Sequence, residues 1–170
     1  VRVRYDVHPG EKFYVDTIMV EVRDTSIAAE MDKIAEDTRL KKGMPFDANI
    51  LNEERSRITN HMTENGFFAF NRDFIRYEVD TVRGSTLVRL KMIVSDYIDP
   101  TDKSHSPHRK YRIGDVKYSY DRSTSSPIWL RPNVLKRANS LIPGDIYRDS
   151  NLSDTYARLN RLGAVAATNV

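Results

Sequence analysis

The chain has 170 residues, of which 39% are hydrophobic and 30% are charged, and it contains no cysteine. This composition allows a packed core, while the lack of cysteine excludes disulfides, thiolate zinc sites and cysteine nucleophiles. The net charge of +3 is unevenly distributed: residues 1–97 carry 15 Lys and Arg against 17 Asp and Glu, and residues 98–170 carry 12 against 7. This change of sign along the chain predicts two structural units.

The segment Val1–Val7 alternates between apolar and polar side chains, which predicts a β-strand. Its pattern resembles that of residues 88–94, which also precede a segment that begins with an aromatic residue. We therefore interpret residues 1–8 as the terminal strand of a preceding repeat. Because an orphan strand needs hydrogen-bond partners, we expect it to pair with an available sheet edge.

Residues 9–97 predict one complete unit with the element order β-α-α-β-β. β-Branched and aromatic residues indicate a first strand at Phe13–Val22, and Asp24 can cap the helix that follows. A second helix fits between Asp47 and Gly66, where glycine favours a left-handed helix end. Two strands with period-two alternation complete the unit, and they are Phe74–Val79 and Leu87–Val94.

Residues 98–109 predict a linker, because they are polar, contain two prolines and show no periodicity. We expect this linker to act as a hinge. His105 and His108 lie three positions apart within it, but a segment without fixed geometry is a poor metal site. We therefore interpret both histidines as solvated and predict no metal site.

Residues 110–170 predict a second unit that is truncated before its C-terminal hairpin. A strand is expected at Tyr111–Tyr120, followed by one helix from Pro132 to about Asn139 and another from about Ser150 to Leu162. From Lys110 onward there are 61 residues, which are too few for the two remaining strands.

Three segments of the first unit recur in the second unit at similar offsets. The offsets are 98, 101 and 97 residues for the pairs 12–18 with 110–116, 40–47 with 141–148 and 65–68 with 162–165. The fall of four residues between the last two offsets is about one helical turn, so the apolar face of the helix stays in phase.

Motifs with glycine and aromatic residues recur at these positions. They are Tyr111-Arg112-Ile113-Gly114-Asp115-Val116, Pro143-Gly144-Asp145-Ile146-Tyr147, Lys42-Gly43-Met44-Pro45-Phe46-Asp47 and Asn65-Gly66-Phe67-Phe68. Tandem units with these motifs resemble POTRA (polypeptide-transport-associated) domains, which form the periplasmic arm of outer-membrane β-barrel assembly and translocation proteins of the BamA/TamA type. The resemblance implies an α+β fold of tandem β-α-α-β-β units, each a three-stranded mixed sheet with two helices on one face.

The resemblance also implies a location and partners. The chain is expected at the periplasmic face of the bacterial outer membrane, where it binds unfolded outer-membrane protein precursors or accessory assembly subunits. A C-terminal membrane β-barrel is expected in the full-length protein. No cofactor, nucleic acid or small-molecule substrate is expected. A periplasmic POTRA scaffold without a barrel is an alternative with the same resemblance.

The resemblance places the second strand of the unit at the edge of the sheet. An exposed edge offers unpaired N–H and C=O groups, which can add an extended peptide as a further strand. We predict a partner-binding edge formed by Asp73, Phe74, Ile75, Arg76, Tyr77, Glu78 and Val79. Phe70 is predicted to be a further, exposed aromatic contact.

Catalysis and RNA binding are the other function classes. The acidic pairs Glu36-Asp37 and Glu53-Glu54 are adjacent on helices, so their side chains point in different directions and are interpreted as solvated. We predict no catalytic residues.

The order β-α-α-β-β also occurs in KH RNA-binding domains, which makes a KH-like module an alternative. However, the loops at residues 42–46 and 142–146 lack the Gly-x-x-Gly pattern of that fold.

Overall fold

The computed structural model describes residues 3–6, 10–118 and 131–162. The chain divides into a first unit, Val1–Ile58 with Asn71–Pro107, and a second unit, Thr59–Phe70 with His108–Val170. Residues 59–70 thus fall in the second unit, whereas the predicted repeat places them in the first. No helix in the described ranges combines the length and the apolar character that crossing a bilayer requires.

The first unit contains a three-stranded mixed sheet. Its strands are β1 (Tyr14–Val22), β2 (Ile75–Thr81) and β3 (Leu87–Val94), in the spatial order β1-β3-β2. The central strand β3 pairs parallel with β1 and antiparallel with β2. Gly84, with a φ of +75°, supplies the left-handed conformation of the turn between β2 and β3. Among the described strands of this sheet, β1 and β2 are therefore the edges.

Two helices connect β1 to β2: α1 (Thr25–Lys33) and α2 (Ala48–Glu64). Asp24 caps α1, because its Oδ1 accepts hydrogen bonds from the N–H groups of Ser26 and Ile27 at 2.8 and 3.4 Å. Asp47 acts in the same way at α2, where its Oδ1 accepts from the N–H of Asn49 at 2.8 Å. The predicted starts of both helices are confirmed.

The core of the first unit lies between the inner face of the sheet and the helices. Alternate residues of β3 are buried there, together with the first residue of β2 and apolar residues of the helices. They are Val88, Leu90, Met92, Val94, Ile75, Ile27, Leu51 and Ile58. Full burial of an aliphatic side chain of this size contributes about 1.5–3 kcal/mol. The predicted α+β fold, with a three-stranded mixed sheet and two helices on one face, is confirmed.

The second unit contains two further helices, α3 (Pro132–Ala138) and α4 (Asp149–Asn160), close to their predicted positions. Proline is the first residue of α3, where its missing N–H costs no helical hydrogen bond. A small core joins the two helices. Its residues are Leu135, Ala138, Leu159 and Leu162.

The predicted strand Tyr111–Tyr120 forms only one bridge pair within residues 111–118, between Arg112 and Ile146. The prediction is therefore wrong for this part, and residues 119–120 lie outside the described residues. A strand requires a ladder of backbone hydrogen bonds, which β1 obtains from β3. The described residues of the second unit contain no counterpart of β3.

Three backbone hydrogen bonds occur in both units at the positions that the predicted repeat pairs. In the first unit they join Phe13 and Val15 to the loop at residues 43–46, with N···O distances of 2.7, 2.8 and 2.9 Å. In the second unit the same bonds join residues 111 and 113 to residues 144–147, at 2.8, 2.8 and 3.0 Å. The paired positions differ by the predicted offsets of 98 and 101 residues.

Residues 3–6, the described part of the predicted strand Val1–Val7, form no strand. Val3 and Tyr5 are 67% and 86% exposed. The expected pairing with a sheet edge is therefore wrong for these four residues, and residues 1, 2 and 7 lie outside the described part. Sequence alternation alone does not make a strand, because each backbone polar group still needs a partner.

The predicted linker at residues 98–109 contains regular structure. Strand β4 (Tyr97–Ile98) pairs antiparallel with β5 (His105–Ser106). Asp99 and Asp102 order the connecting loop, since their carboxylates accept hydrogen bonds from N–H groups two residues further on, at 2.7 and 2.9 Å. His108 is buried, so the prediction of solvated histidines is wrong for this residue. The hinge stays a prediction.

Candidate functional site

The candidate site is the outer edge of β2, which has β3 on one side and no described strand on the other. The strand begins at Ile75, so the prediction that Asp73 and Phe74 belong to it is wrong. These two residues lie in a 3-10 turn, Arg72–Phe74, because the Asn71 side chain accepts a hydrogen bond from the N–H of Asp73 at 2.8 Å and caps the turn.

The hydrogen bonds at the two ends of the β2–β3 pair determine which residues of β2 direct their backbone N–H and C=O groups toward β3. The N–H of Ser95 donates to the carbonyl of Phe74 at 2.8 Å, and the N–H of Val82 donates to the carbonyl of Leu87 at 3.0 Å. In an antiparallel pair, directly bonded residues alternate with residues whose backbone groups point away from the partner strand. Both end bonds place the even-numbered residues of β2 in directly bonded pairs.

Ile75, Tyr77 and Val79 therefore turn their backbone N–H and C=O groups toward the open edge. Their side chains lie on the inner face of the sheet, opposite buried residues of β3. Arg76 and Glu78 bond to β3 through their backbones and place their side chains on the open face of the sheet. Of the predicted edge residues in β2, Ile75, Tyr77 and Val79 thus direct backbone groups toward the open edge, whereas those of Arg76 and Glu78 bond to β3.

Both edge-facing groups of Ile75 are already bonded. Its N–H donates to the carbonyl of Arg72, and its carbonyl accepts a hydrogen bond from Nε of Arg55 at 2.8 Å. Tyr77 and Val79 have no corresponding bonds to other described residues. The unoccupied part of the edge therefore starts at Tyr77.

Arg55 of α2 covers the beginning of this edge. Its guanidinium carbon lies 5.1 Å from the centroid of the Tyr77 ring, a cation–π contact, and its Nη1 donates to Oδ1 of Asn52 at 3.0 Å. Burial raises the pKa of Tyr77 to about 12, with a further contribution from the carboxylate of Glu54. This role of Arg55 is not visible in the sequence, because one arginine on a helix gives no signal of a bond to a strand 20 residues later.

A buried ionic network lies behind the edge. Glu54 is 1% exposed, and it accepts hydrogen bonds from Oγ1 of Thr38 and the N–H of Arg39 at 2.9 and 3.1 Å. Arg57 donates two more to this carboxylate, at 2.9 and 2.6 Å. Burial alone would raise the pKa of Glu54, but these hydrogen bonds outweigh burial and hold the pKa below its ordinary value. The interpretation of Glu53-Glu54 as solvated is therefore wrong for Glu54.

The open face of the sheet carries charged side chains in register. Glu78 lies opposite Lys91, and Asp80 lies opposite Arg89. Lys91 also pairs with Glu21 of β1, with 2.6 Å between Nζ and Oε2, and this hydrogen-bonded contact raises the pKa of Lys91 and lowers that of Glu21. Charges beside an edge disfavour uncontrolled pairing between sheets.

Phe70 is 3% exposed, so the prediction that it is an exposed aromatic contact is wrong. Its N–H donates to the carbonyl of Phe67 at 2.9 Å, which closes a turn and directs both rings inward. Phe68 is 56% exposed instead. Its ring packs edge-on against Tyr111 and Tyr147, with centroid distances of 5.9 and 5.0 Å.

The β2 edge combines unpaired backbone donors and acceptors at strand spacing with partly exposed apolar side chains on the inner face and one cationic side chain, that of Arg55, at its beginning. Within the described ranges, no group of three His, Cys, Asp or Glu side chains converges as metal ligands would.

No family model and no curated protein sequence matches the chain. Its structure is similar to that of POTRA domains 3–5 of Haemophilus influenzae BamA, with a TM-score of 0.57 and 12% identity over 93% of this chain and 53% of that one. It is also similar to Haemophilus ducreyi BamA lacking POTRA domains 1–3, with a TM-score of 0.61 and 15% identity over 94% of this chain and 25% of that one. The chain thus spans about half of the first structure and a quarter of the second. These similarities show a POTRA-type fold.

Proposed function

We propose that this chain is part of the periplasmic POTRA arm of an outer-membrane protein assembly or translocation factor, and that it binds extended polypeptide segments at the edge of β2. The observation that carries the proposal is the outward direction of the backbone groups of Tyr77 and Val79, which have no bonds to other described residues. An added strand would satisfy these groups.

Strand addition suits a partner class with varied sequences. Main-chain hydrogen bonds supply affinity whatever the side chains are, while the pockets beside the edge select among them. The partners are unfolded outer-membrane protein precursors or accessory assembly subunits, and a membrane β-barrel follows in the full-length protein. The POTRA-type fold supports this assignment, since both similar structures are of BamA.

The geometry of the helix-connecting loops favours polypeptide over RNA as the partner. In a KH domain this loop clamps the nucleic-acid backbone. Here the N–H groups of Gly43 and Phe46 donate to the carbonyls of Val15 and Phe13, at 2.7 and 2.8 Å. These donors hold the loop against the start of β1 and are not directed to a phosphate.

Photo-cross-linking in the bacterial envelope tests the proposal. A photoreactive residue at Thr81, which is exposed next to the edge, should capture unfolded precursors or an accessory subunit in the full-length protein. Val79→Pro removes an edge-facing N–H without removing a bond to β3, so it should abolish this capture. Val79→Thr keeps the N–H and serves as the control.

Two results would contradict the proposal. One is the same capture by the Val79→Pro variant, with far-UV circular dichroism showing a native fold. The other is capture of a fixed neighbour that is independent of the edge, which would indicate that the chain is a spacer holding a barrel at a distance from its accessory subunits.

A further inference from the structure

We propose that Arg55 makes the β2 edge selective for extended segments that carry an acidic residue at the end of the added strand. The inference rests on the proposed strand addition, and it assigns to Arg55 a role in choosing the partner. Three observations support it. Arg55 bonds to the backbone at the beginning of the free edge, its guanidinium has no carboxylate partner among the described residues, and Arg57 of the same helix does have one.

Arg55 fixes where an added strand must stop. Its Nε bonds to the carbonyl of Ile75 at 2.8 Å, and the N–H of Ile75 is bonded to the carbonyl of Arg72. An incoming strand can therefore pair with Tyr77 and Val79 but finds no vacant group at Ile75. The next residue of the incoming segment is thereby placed beside the guanidinium of Arg55.

The charge of Arg55 is not neutralised by any other described residue. Its hydrogen bonds to described residues are made to one backbone carbonyl and to the amide oxygen of Asn52, and its guanidinium lies over the ring of Tyr77. None of these groups carries a negative charge. Nη2 donates no hydrogen bond to another described residue, so one side of the guanidinium remains available to an acceptor.

Arg57 shows what a paired arginine of the same helix looks like. It donates two hydrogen bonds to the carboxylate of Glu54, which also accepts from Thr38 and Arg39. The capacity of Glu54 is thus taken up by groups other than Arg55. A half-buried guanidinium without a counter-ion attracts a carboxylate, and charge-assisted hydrogen bonds are stronger than neutral ones. The occupant that completes this site is an extended segment with Asp or Glu at that position.

Two synthetic peptides test the inference. Both have about eight residues of alternating Val and Thr, an ordinary strand length, with blocked ends. One carries Glu at both ends and the other Gln, so that either strand direction presents the carboxylate to Arg55. Fluorescence anisotropy with this chain should give about five- to tenfold tighter binding for the Glu peptide.

The matched variants are Arg55→Gln and Arg76→Gln. Arg76 carries the same charge as Arg55 and belongs to the edge strand itself, but its side chain lies on the open face of the sheet. Arg55→Gln should bring the ratio of the two affinities to about one, whereas Arg76→Gln should leave it near the wild-type value. Circular dichroism establishes that both variants are folded.

The outcomes separate this inference from the proposed function. Equal binding of both peptides to the wild-type chain, or an unchanged ratio in a folded Arg55→Gln variant, would overturn the role of Arg55 and leave strand addition intact. Binding of neither peptide would contradict strand addition itself.

Discussion

Glu64 accepts two hydrogen bonds from Ser150, one from its N–H and one from its Oγ, both at 2.6 Å and across 86 residues of sequence. Ser150 lies in the first turn of α4, whose N-cap residue, Arg148, provides no side-chain cap. A carboxylate at this place satisfies a free N–H group and interacts favourably with the positive end of the helix dipole. Within the second unit, Glu64 therefore caps the N-terminus of α4, although it is 86 residues away from Ser150 in the sequence.

Glu64→Ala should destabilise the second unit by about 1–2 kcal/mol, because it removes a charged cap. Chemical unfolding monitored by amide exchange of α4 measures this change. Asp154→Ala is the control, since it removes an exposed carboxylate of the same helix that is 3.7 Å from Arg158, and it should have little effect. Equal effects of the two substitutions would show that the bonds to Ser150 do not stabilise α4.

Gly66→Ala should destabilise the chain more than Gly84→Ala. Both glycines have positive φ, +99° and +75°, so both substitutions cost about 1 kcal/mol in backbone conformation. Only at Gly66 would an added Cβ meet another residue, with Cγ2 of Ile146 at 2.9 Å. Thermal unfolding of both variants isolates this close approach. The double variant Gly66→Ala/Ile146→Ala should lose less stability than the sum of the losses in the two single variants. If it loses the full sum, the contact with Ile146 does not cause the larger effect at Gly66.

Tyr77→Phe and Tyr147→Phe make the same chemical change in different surroundings. The hydroxyl of Tyr77 is buried without a hydrogen-bond partner among the described residues, so its removal should leave stability unchanged or increase it by up to about 1 kcal/mol. The hydroxyl of Tyr147 donates to Asp149 at 2.9 Å, and its removal should cost about 1 kcal/mol. Denaturant unfolding of both variants measures the change in the free energy of unfolding. A larger loss of stability for Tyr77→Phe than for Tyr147→Phe would show that the hydroxyl of Tyr77 has a hydrogen-bond partner.

Glu54 should make the stability of the first unit depend on acidic pH. Its hydrogen bonds hold its pKa below the ordinary value of 4.5, so its contribution is present above that pH and is lost as the pH falls through the lower, folded-state pKa. Glu54→Gln should lower the free energy of unfolding at pH 7 by about 1–3 kcal/mol and flatten its decline below pH 4.5. Unfolding titrations at several pH values test this. A variant with the wild-type slope below pH 4.5 would contradict the role of Glu54.

In the second unit, an uncharged side chain accepts the hydrogen bond that corresponds to one of those of Glu54. Thr155 lies 101 residues after Glu54, and its Oγ1 accepts a hydrogen bond from the N–H of Ser140 at 2.9 Å, as Glu54 accepts from the N–H of Arg39. Since Thr155 does not titrate, the acid-dependent loss predicted for Glu54 has no equivalent at this position. The repeat thus preserves a hydrogen bond while its chemistry differs.

The sequence predicted the parts of the fold that depend on local chemistry. Caps such as Asp24, period-two alternation in β3 and the spacing of the repeated motifs each act within a few residues, so they are visible in sequence. The prediction for Phe70 is wrong because the direction of its ring depends on a turn closed by a hydrogen bond to Phe67. The role of Arg55 cannot be predicted from the sequence, because only folding brings its partner strand to it.

The direction of the backbone groups along β2 also required the structure. Sequence alternation shows which side chains share a face, but it does not show which N–H groups bond to β3. This direction follows from the bonds at Ser95 and Val82. It separates Tyr77 and Val79, which face the edge, from Glu78 and Asp80, which do not.

Residue-resolved amide hydrogen exchange on the 170-residue chain, with and without the Glu-containing Val/Thr peptide, tests strand addition most directly. Without peptide, the amides of Tyr77 and Val79 should exchange quickly, and those of Glu78 and Asp80 slowly, because only the latter are bonded to β3. With peptide, protection should rise at Tyr77 and Val79 and change little at Glu78 and Asp80. Binding without added protection at Tyr77 and Val79 would contradict strand addition at β2.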